Sequence, residues 1–267
     1  MAAPLEYKNM KALDFYYRMR LDFDAPVREH DFALRYVPHT DSVQEISVRT
    51  KKVEPADWLC EETDTFGNHV YIGRCSREHD YFMCEVSGTA KVDVSRRERE
   101  ECRCCYSYPT RLTAYEPEVL DFLKRFRLPD CTNFEKACIL MQHLYDHFKY
   151  ESGVTNIETT AGEALRGGRG VCQDYAHIFI ALCKCSRIPA RYVAGLQIGE
   201  GATHAWTEIY DDGMWKGFDP THNRFIDDVY IKLSHGRDYT DCILDRGVFY
   251  GRTGQKQEIY VNVEEVS

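Results

Sequence analysis

Gly167–Arg187 reads GGRGVCQDYAHIFIALCKCSR, and the fold turns on how this stretch is read. Three glycines, Gly167, Gly168 and Gly170, precede Val171 and Cys172. Behind them Ala176, Phe179, Ile180 and Cys183 fall at i, i+3, i+4 and i+7, the apolar stripe of a helix. Cys172 therefore sits at or just inside the helix N-terminus. Unpaired backbone N–H groups and a partial positive charge gather there. Such a position favours a thiolate over a thiol and offers donors to a developing oxyanion. The glycines allow close approach of another backbone or a substrate. Taken alone, Cys172 is one of twelve cysteines, and free cysteine is commonly just a buried small residue. A second stretch, about thirty residues on, separates the two readings.

That stretch is Thr203–Tyr210, THAWTEIY, a strand by composition, followed by the turn signal Asp211-Asp212-Gly213 and a returning strand that ends at Asp219-Pro220. The hairpin register follows from loop length. An Asp211-Asp212 loop sets His204 directly opposite Asp219. An Asp212-Gly213 loop, or the four residues 211–214, sets Asp219 opposite Trp206 and one diagonal step from His204. All three place imidazole and carboxylate on one face. A three-residue loop without a bulge separates them. Cys172, His204 and Asp219 thus form a candidate nucleophile, general base and orienting carboxylate. Singly, each has a plain structural explanation: a buried thiol, a strand histidine bonded to a carbonyl, an aspartate capping a turn. Their joint placement on a helix end and one hairpin is what carries the chemistry.

The rest of the chain bounds this reading. A length of 267 residues supports one large or two smaller domains, and 43% hydrophobic with 29% charged residues is an ordinary globular composition. A net charge of −9 argues against nucleic acid as a partner. MAAPLEYKNM has no apolar core behind a basic start, and no run reaches transmembrane length, so the expectation is a cytoplasmic protein with no membrane partner and reduced thiols. The Cys102–Cys105 cluster is expected to be buried thiols rather than a metal site, and His143 and His147 to flank an amphipathic helix; no metal is expected.

Residues 12–24 alternate apolar and polar, as do 82–94, with shorter runs at Phe32–Tyr36, Ile46–Val48 and Val70–Ile72. These predict an antiparallel β-sandwich-like N-terminal domain over 1–108 and a second domain over 109–267. Helices are expected after Pro117, after the capping box Thr132–Glu135, and after a second box, Thr160–Glu163.

GRGVCQDYAH (168–177), IPARYVAGL (188–196), THAWTEIY (203–210) and GFDPTHN (217–223), with the later Gly236-Arg237-Asp238-Tyr239, resemble bacterial and archaeal members of the transglutaminase-like superfamily. The first 105 residues resemble the β-rich region that often precedes that domain. The resemblance implies an α+β, papain-like core, with the cysteine helix packed on an antiparallel sheet, and thiol chemistry without a cofactor. It does not fix the reaction; the leading expectation is a cysteine hydrolase acting on peptide or other amide bonds through a thioester. Acyl transfer to an amine and a non-catalytic binding protein with a vestigial cleft stand as alternatives. The barrels and calcium sites of animal cross-linking enzymes have no counterpart here. Tyr150 is a candidate second oxyanion donor. Asp174 is a candidate for binding a substrate amine and Trp206 for a cleft wall. Arg237, Asp238 and Tyr239 are candidates for the cleft rim.

Overall fold

The computed structural model describes residues 10–266. The N-terminal nine residues, which bear on the question of a leader, and Ser267 lie outside them. The organising strand is β1, Lys11–Leu34. Its first limb buries Leu13, Phe15, Tyr17, Met19 and Phe23 on one side. Register shifts at Asp22/Val27 and Arg28/Asp31, with Glu29 at φ 51°, then change the parity. His30, Phe32 and Leu34 become the buried set. A bulge does this because one extra residue turns every following side chain to the other face. The two runs read separately in the sequence are therefore one bent strand.

The first limb pairs with β5, His79–Val92, which pairs in turn with β2, Gln44–Glu54. The second limb pairs with β4, His69–Cys75, and through it with β3, Trp58–Thr63. The limbs face each other across a shared core, with the Phe32 and Phe82 rings 4.7 Å apart and those of Tyr17 and Tyr36 6.5 Å apart. The expected sandwich is thus a single eight-stranded antiparallel sheet folded on β1.

Three helices follow: α1, Pro117–Leu123; α2, Asn133–His147; and α3, Ala161–Gly167. Both capping boxes form, at Thr132/Glu135 and Thr160/Glu163. The short parallel pair β6, Lys149–Tyr150, and β7, Arg169–Gly170, leads into α4, Cys172–Cys185. Every residue of α4 from Asp174 to Lys184 is buried. It packs against α1, α2 and α3, and against strands β8, Ala190–Gln197, and β10, His204–Asp211, of a five-stranded sheet. Between these lies β9, Gly199–Gly201; beyond them come β11, Met214–Asp219, β12, Arg224–Phe225, and β13, Tyr230–Gly236. The second sheet runs β12-β11-β10-β8-β13.

The division between 1–108 and 109–267 does not follow the sheets. Strands β14, Asp245–Tyr250, and β15, Gln255–Glu265, return to β1, where β15 pairs from Leu13↔Glu265 to Phe23↔Gln255. Gly199–Gly201 adds to the free edge of β15. The Cys102–Cys105 cluster also departs from expectation: Cys104 is exposed and Cys102 and Cys105 are half-buried. A short 3₁₀ turn carries Cys104 and Cys105 along the surface. No helix among the described residues is long and apolar enough to cross a membrane.

Candidate active site

The glycine-rich approach to Cys172 has two specific tasks. Gly168, at φ 67°, is the left-handed cap that ends α3. Gly170 leaves room for a carboxylate: a Cβ there would lie 2.4 Å from Asp174 Oδ2. That oxygen accepts from the Val171 backbone N–H at 2.7 Å and from Thr155 Oγ1 at 2.7 Å. Asp174 is only 1% exposed. It therefore fastens the first turn of α4 and does not face a substrate amine, a correction to the role suggested by its position beside Cys172. Cys172 is left partly exposed as the first residue of the helix. Its backbone N–H is one of the first-turn donors with no helical partner.

The hairpin takes the two-residue loop. Asp211 pairs with Met214 and Thr207 with Phe218, so Asp212 and Gly213 turn the chain, both with positive φ, 48° and 80°. This is the backbone of a type I′ turn, whose twist suits the flanking strands. One step further along the ladder, Asp219 lies opposite Trp206 and diagonal to His204. His204 Nε2 and Asp219 Oδ2 are 2.8 Å apart. With Nε2 engaged, Nδ1 is the nitrogen left for Cys172, which lines the same cavities as the ring. The structure thus brings Cys172, His204 and Asp219 together.

Two residues that the sequence reading did not single out complete the carboxylate's surroundings. His222 Nδ1 lies 2.7 Å from Asp219 Oδ2, and the Tyr230 hydroxyl donates to the same oxygen at 2.8 Å. The Thr221 backbone N–H donates to Oδ1 at 3.0 Å. Asp219 has no exposed side-chain surface. Burial alone would raise its carboxyl pKa, but the imidazoles of His204 and His222 reverse this and hold it well below the ordinary range. His204 shows the reciprocal effect. Burial pushes its pKa down, yet the neighbouring Asp219 and Cys172 outweigh burial and raise it to about 9. The signal for His222 was its place three residues after Asp219, within DPTHN; Tyr230 arrives from β13 and left no local signal.

His204, Asp219 and His222 are the one group among the described residues whose ligand atoms cluster closely enough to suggest a metal, within 4.8 Å of one another. Their hydrogen bonds run directly from each imidazole to the carboxylate. A metal would have to break both, so the arrangement is that of a hydrogen-bonded relay.

The remaining candidates separate clearly. Trp206 is 1% exposed and packs under the site against Val193 and Tyr230, so it supports the His204 strand and does not wall the cleft. Tyr150 is 60% exposed and shares a cavity of about 270 Å³ with Cys172, His204 and His222. The opposite wall of that cavity is Gln197–Thr203, which β9 ties to the N-terminal sheet. A second cavity, of about 200 Å³, meets the first at Cys172 and His204 and reaches Tyr239, Asp245 and Gln257. Of the three rim candidates, Tyr239 lines this arm. Asp238 is buried as a 3₁₀ cap, and Arg237 pairs with Asp241.

Residues 13–91 match the bacterial transglutaminase-like N-terminal region, and residues 121–220 match the core of the transglutaminase-like superfamily. An uncharacterized protein of Mycobacterium tuberculosis is 33% identical over 170 residues, 56% of this chain and 54% of its own length. One of Mycobacterium leprae is 33% identical over 128 residues, 44% and 46% of the two lengths. The matched parts span about half the length of these relatives. A crystal structure from Cytophaga hutchinsonii, described as that of a candidate cysteine protease, shares the fold with a TM-score of 0.80. It is 21% identical, and the match covers 97% of this chain and 92% of that one. The two family matches together take in about two thirds of the chain, in the order N-terminal region then core, and the chain belongs to the transglutaminase-like superfamily.

Proposed function

We propose that this protein is a cysteine hydrolase that cleaves peptide or other amide bonds through a thioester on Cys172. The single observation that carries this reading is a helix-end thiol sharing a cleft with His204, whose ring is hydrogen-bonded to the buried Asp219. The Cys172 sulfur attacks the amide carbonyl carbon. The carbonyl oxygen takes negative charge beside the Cys172 backbone N–H. Imidazolium His204 gives its proton to the departing amine as the C–N bond breaks, leaving a thioester and a neutral ring. The ring then takes a proton from water, the resulting hydroxide attacks the thioester, and the acid leaves as the sulfur is restored. Asp219 fixes the Nε2–H tautomer and stabilises the cationic ring without taking its proton.

Cys172→Ala is expected to abolish release of amine from a fluorogenic amide library while the circular dichroism spectrum is retained. A variant that keeps turnover within about tenfold of wild type overturns the proposal, because removing a catalytic nucleophile costs several powers of ten. Adding a primary amine during turnover and analysing products by mass separates hydrolysis, which yields free acid, from acyl transfer, which yields a new amide.

A further inference from the structure

The two arms of the cleft are lined by no lysine or arginine among the described residues, although the chain carries 34 of them. Each arm instead holds an acid, Glu200 in one and Asp245 in the other. The acids differ in how they are occupied. Glu200 accepts from the Tyr260 hydroxyl at 2.7 Å on an exposed rim. Asp245 is half-buried at the start of β14, and its only side-chain partner among the described residues is the neutral amide of Gln257. No cation pairs with it among the described residues. Burial pushes its carboxyl pKa up to about 6, the response of a carboxylate with no positive charge at hand. Tyr192, Ala194, Leu244 and Ile259 supply apolar walls between this acid and Cys172. The one imidazole lining the arm, His204, has its charge matched by Asp219.

An apolar passage from a nucleophile to an unpaired carboxylate is complementary to an aliphatic stem with a cationic end. We propose that the Asp245 arm is a subsite for an alkylammonium group of the substrate, bound beside the carbonyl that Cys172 attacks. The ammonium displaces water from Asp245 and the methylene stem lies along Leu244 and Ile259. Recognition of this kind favours amides of lysine-like, diamino or polyamine character over neutral or acidic ones. The inference rests on the proposed role of Cys172 as the reactive thiol.

The test needs no known substrate. Alkyl methanethiosulfonates convert a thiol to a mixed disulfide and release methanesulfinate. The 2-aminoethyl reagent carries an ammonium, and the propyl reagent is its neutral counterpart of the same length. Rates at each cysteine are read by mass spectrometry at pH 8, with the exposed Cys60 and Cys104 as internal references for the general attraction of a negatively charged protein. The aminoethyl-to-propyl rate ratio at Cys172 is expected to exceed the ratio at the references roughly tenfold, which corresponds to about 1.4 kcal/mol. Asp245→Asn is expected to bring it down to the reference level. A wild-type ratio equal to that of Cys60 and Cys104 overturns the inference, whether or not the variant folds. So does a high ratio that survives Asp245→Asn in a folded protein. A Cys172 that ignores the neutral reagent as well overturns the nucleophile reading itself, and this subsite with it.

Discussion

Asp219 and Glu208 are two buried carboxylates on the same face of the second sheet, turned away from α4, and the protein uses them in opposite ways. Glu208 is clamped by fixed charges: Arg191 Nε at 2.6 Å and Lys232 Nζ at 2.7 Å. Trp215 lies against the Arg191 guanidinium, 4.2 Å from ring centroid to Cζ. Asp219 is held instead by two imidazoles, those of His204 and His222, and by the Tyr230 hydroxyl. Burial works to raise both carboxyl pKa values, and both are brought well below the usual range by their partners. What differs is the kind of partner. Guanidinium and ammonium stay charged across the physiological range, so Glu208 builds a fixed tie between β8, β10 and β13. Imidazoles change charge there, so Asp219 governs a proton.

The largest effect that would sharpen this contrast is on turnover. Asp219→Asn is expected to lower amide hydrolysis by about 10³–10⁴-fold while the protein stays folded, because the amide cannot select the required His204 tautomer. Glu208→Gln is expected to leave turnover within a few-fold. If the two variants lower turnover alike, the division of labour fails.

Next in size is the effect on stability. Glu208→Gln leaves Arg191, 4% exposed, and Lys232 without their shared counter-charge. Loss of one member of a buried ion pair costs about 3–5 kcal/mol. Urea unfolding should register a loss of that order for Glu208→Gln and a clearly smaller one for Asp219→Asn, whose side chain still bonds its neighbours.

The smallest effect is a pH dependence. His204, raised to about 9 in the folded protein, contributes stability that is complete below its unfolded value of about 6.5 and is lost as pH climbs through 9. Glu208, held low, contributes stability that fades only on acidification. Between pH 6.5 and 9.5 the stability gap between wild type and Asp219→Asn should therefore narrow by on the order of 2 kcal/mol. The gap to Glu208→Gln should stay flat. Parallel curves for the two variants would erase the distinction.

The same contrast separates what is legible in the amino-acid sequence from what is not. The Cys172 helix, the His204 strand and the set of registers that bring Asp219 alongside are legible because each rests on local signals: periodicity, a helix start and a short turn. Choosing among the three even loops takes the fold, which settles on Asp212-Gly213. Glu208 gives no hint of its role, since its cations come from β8 and β13, seventeen residues before it and twenty-four after. Asp174 looks available for a ligand because it follows Cys172; only the fold shows Gly170 and Thr155 closing around it. The return of β15 to β1 is hidden for the same reason. Its exposed residues alternate weakly, and its partner lies at the other end of the chain.

That return has a consequence for how the molecule is made. Residues 13–23 of β1 can find β5 early, since both belong to the first hundred residues. Their other edge waits for residues 255–265, more than two hundred residues further along the chain. Until then an unpaired hydrogen-bonding edge lies open to other chains, a recognised route to aggregation. A pairing across so much sequence is also slow to find. Because β9 in turn lies on β15, the Gly199–Gly201 wall of the cleft can take its place only after β15 has been synthesised. Assembly of the N-terminal sheet and completion of the cleft are one event, so the candidate nucleophile meets its full surroundings only once β15 has docked.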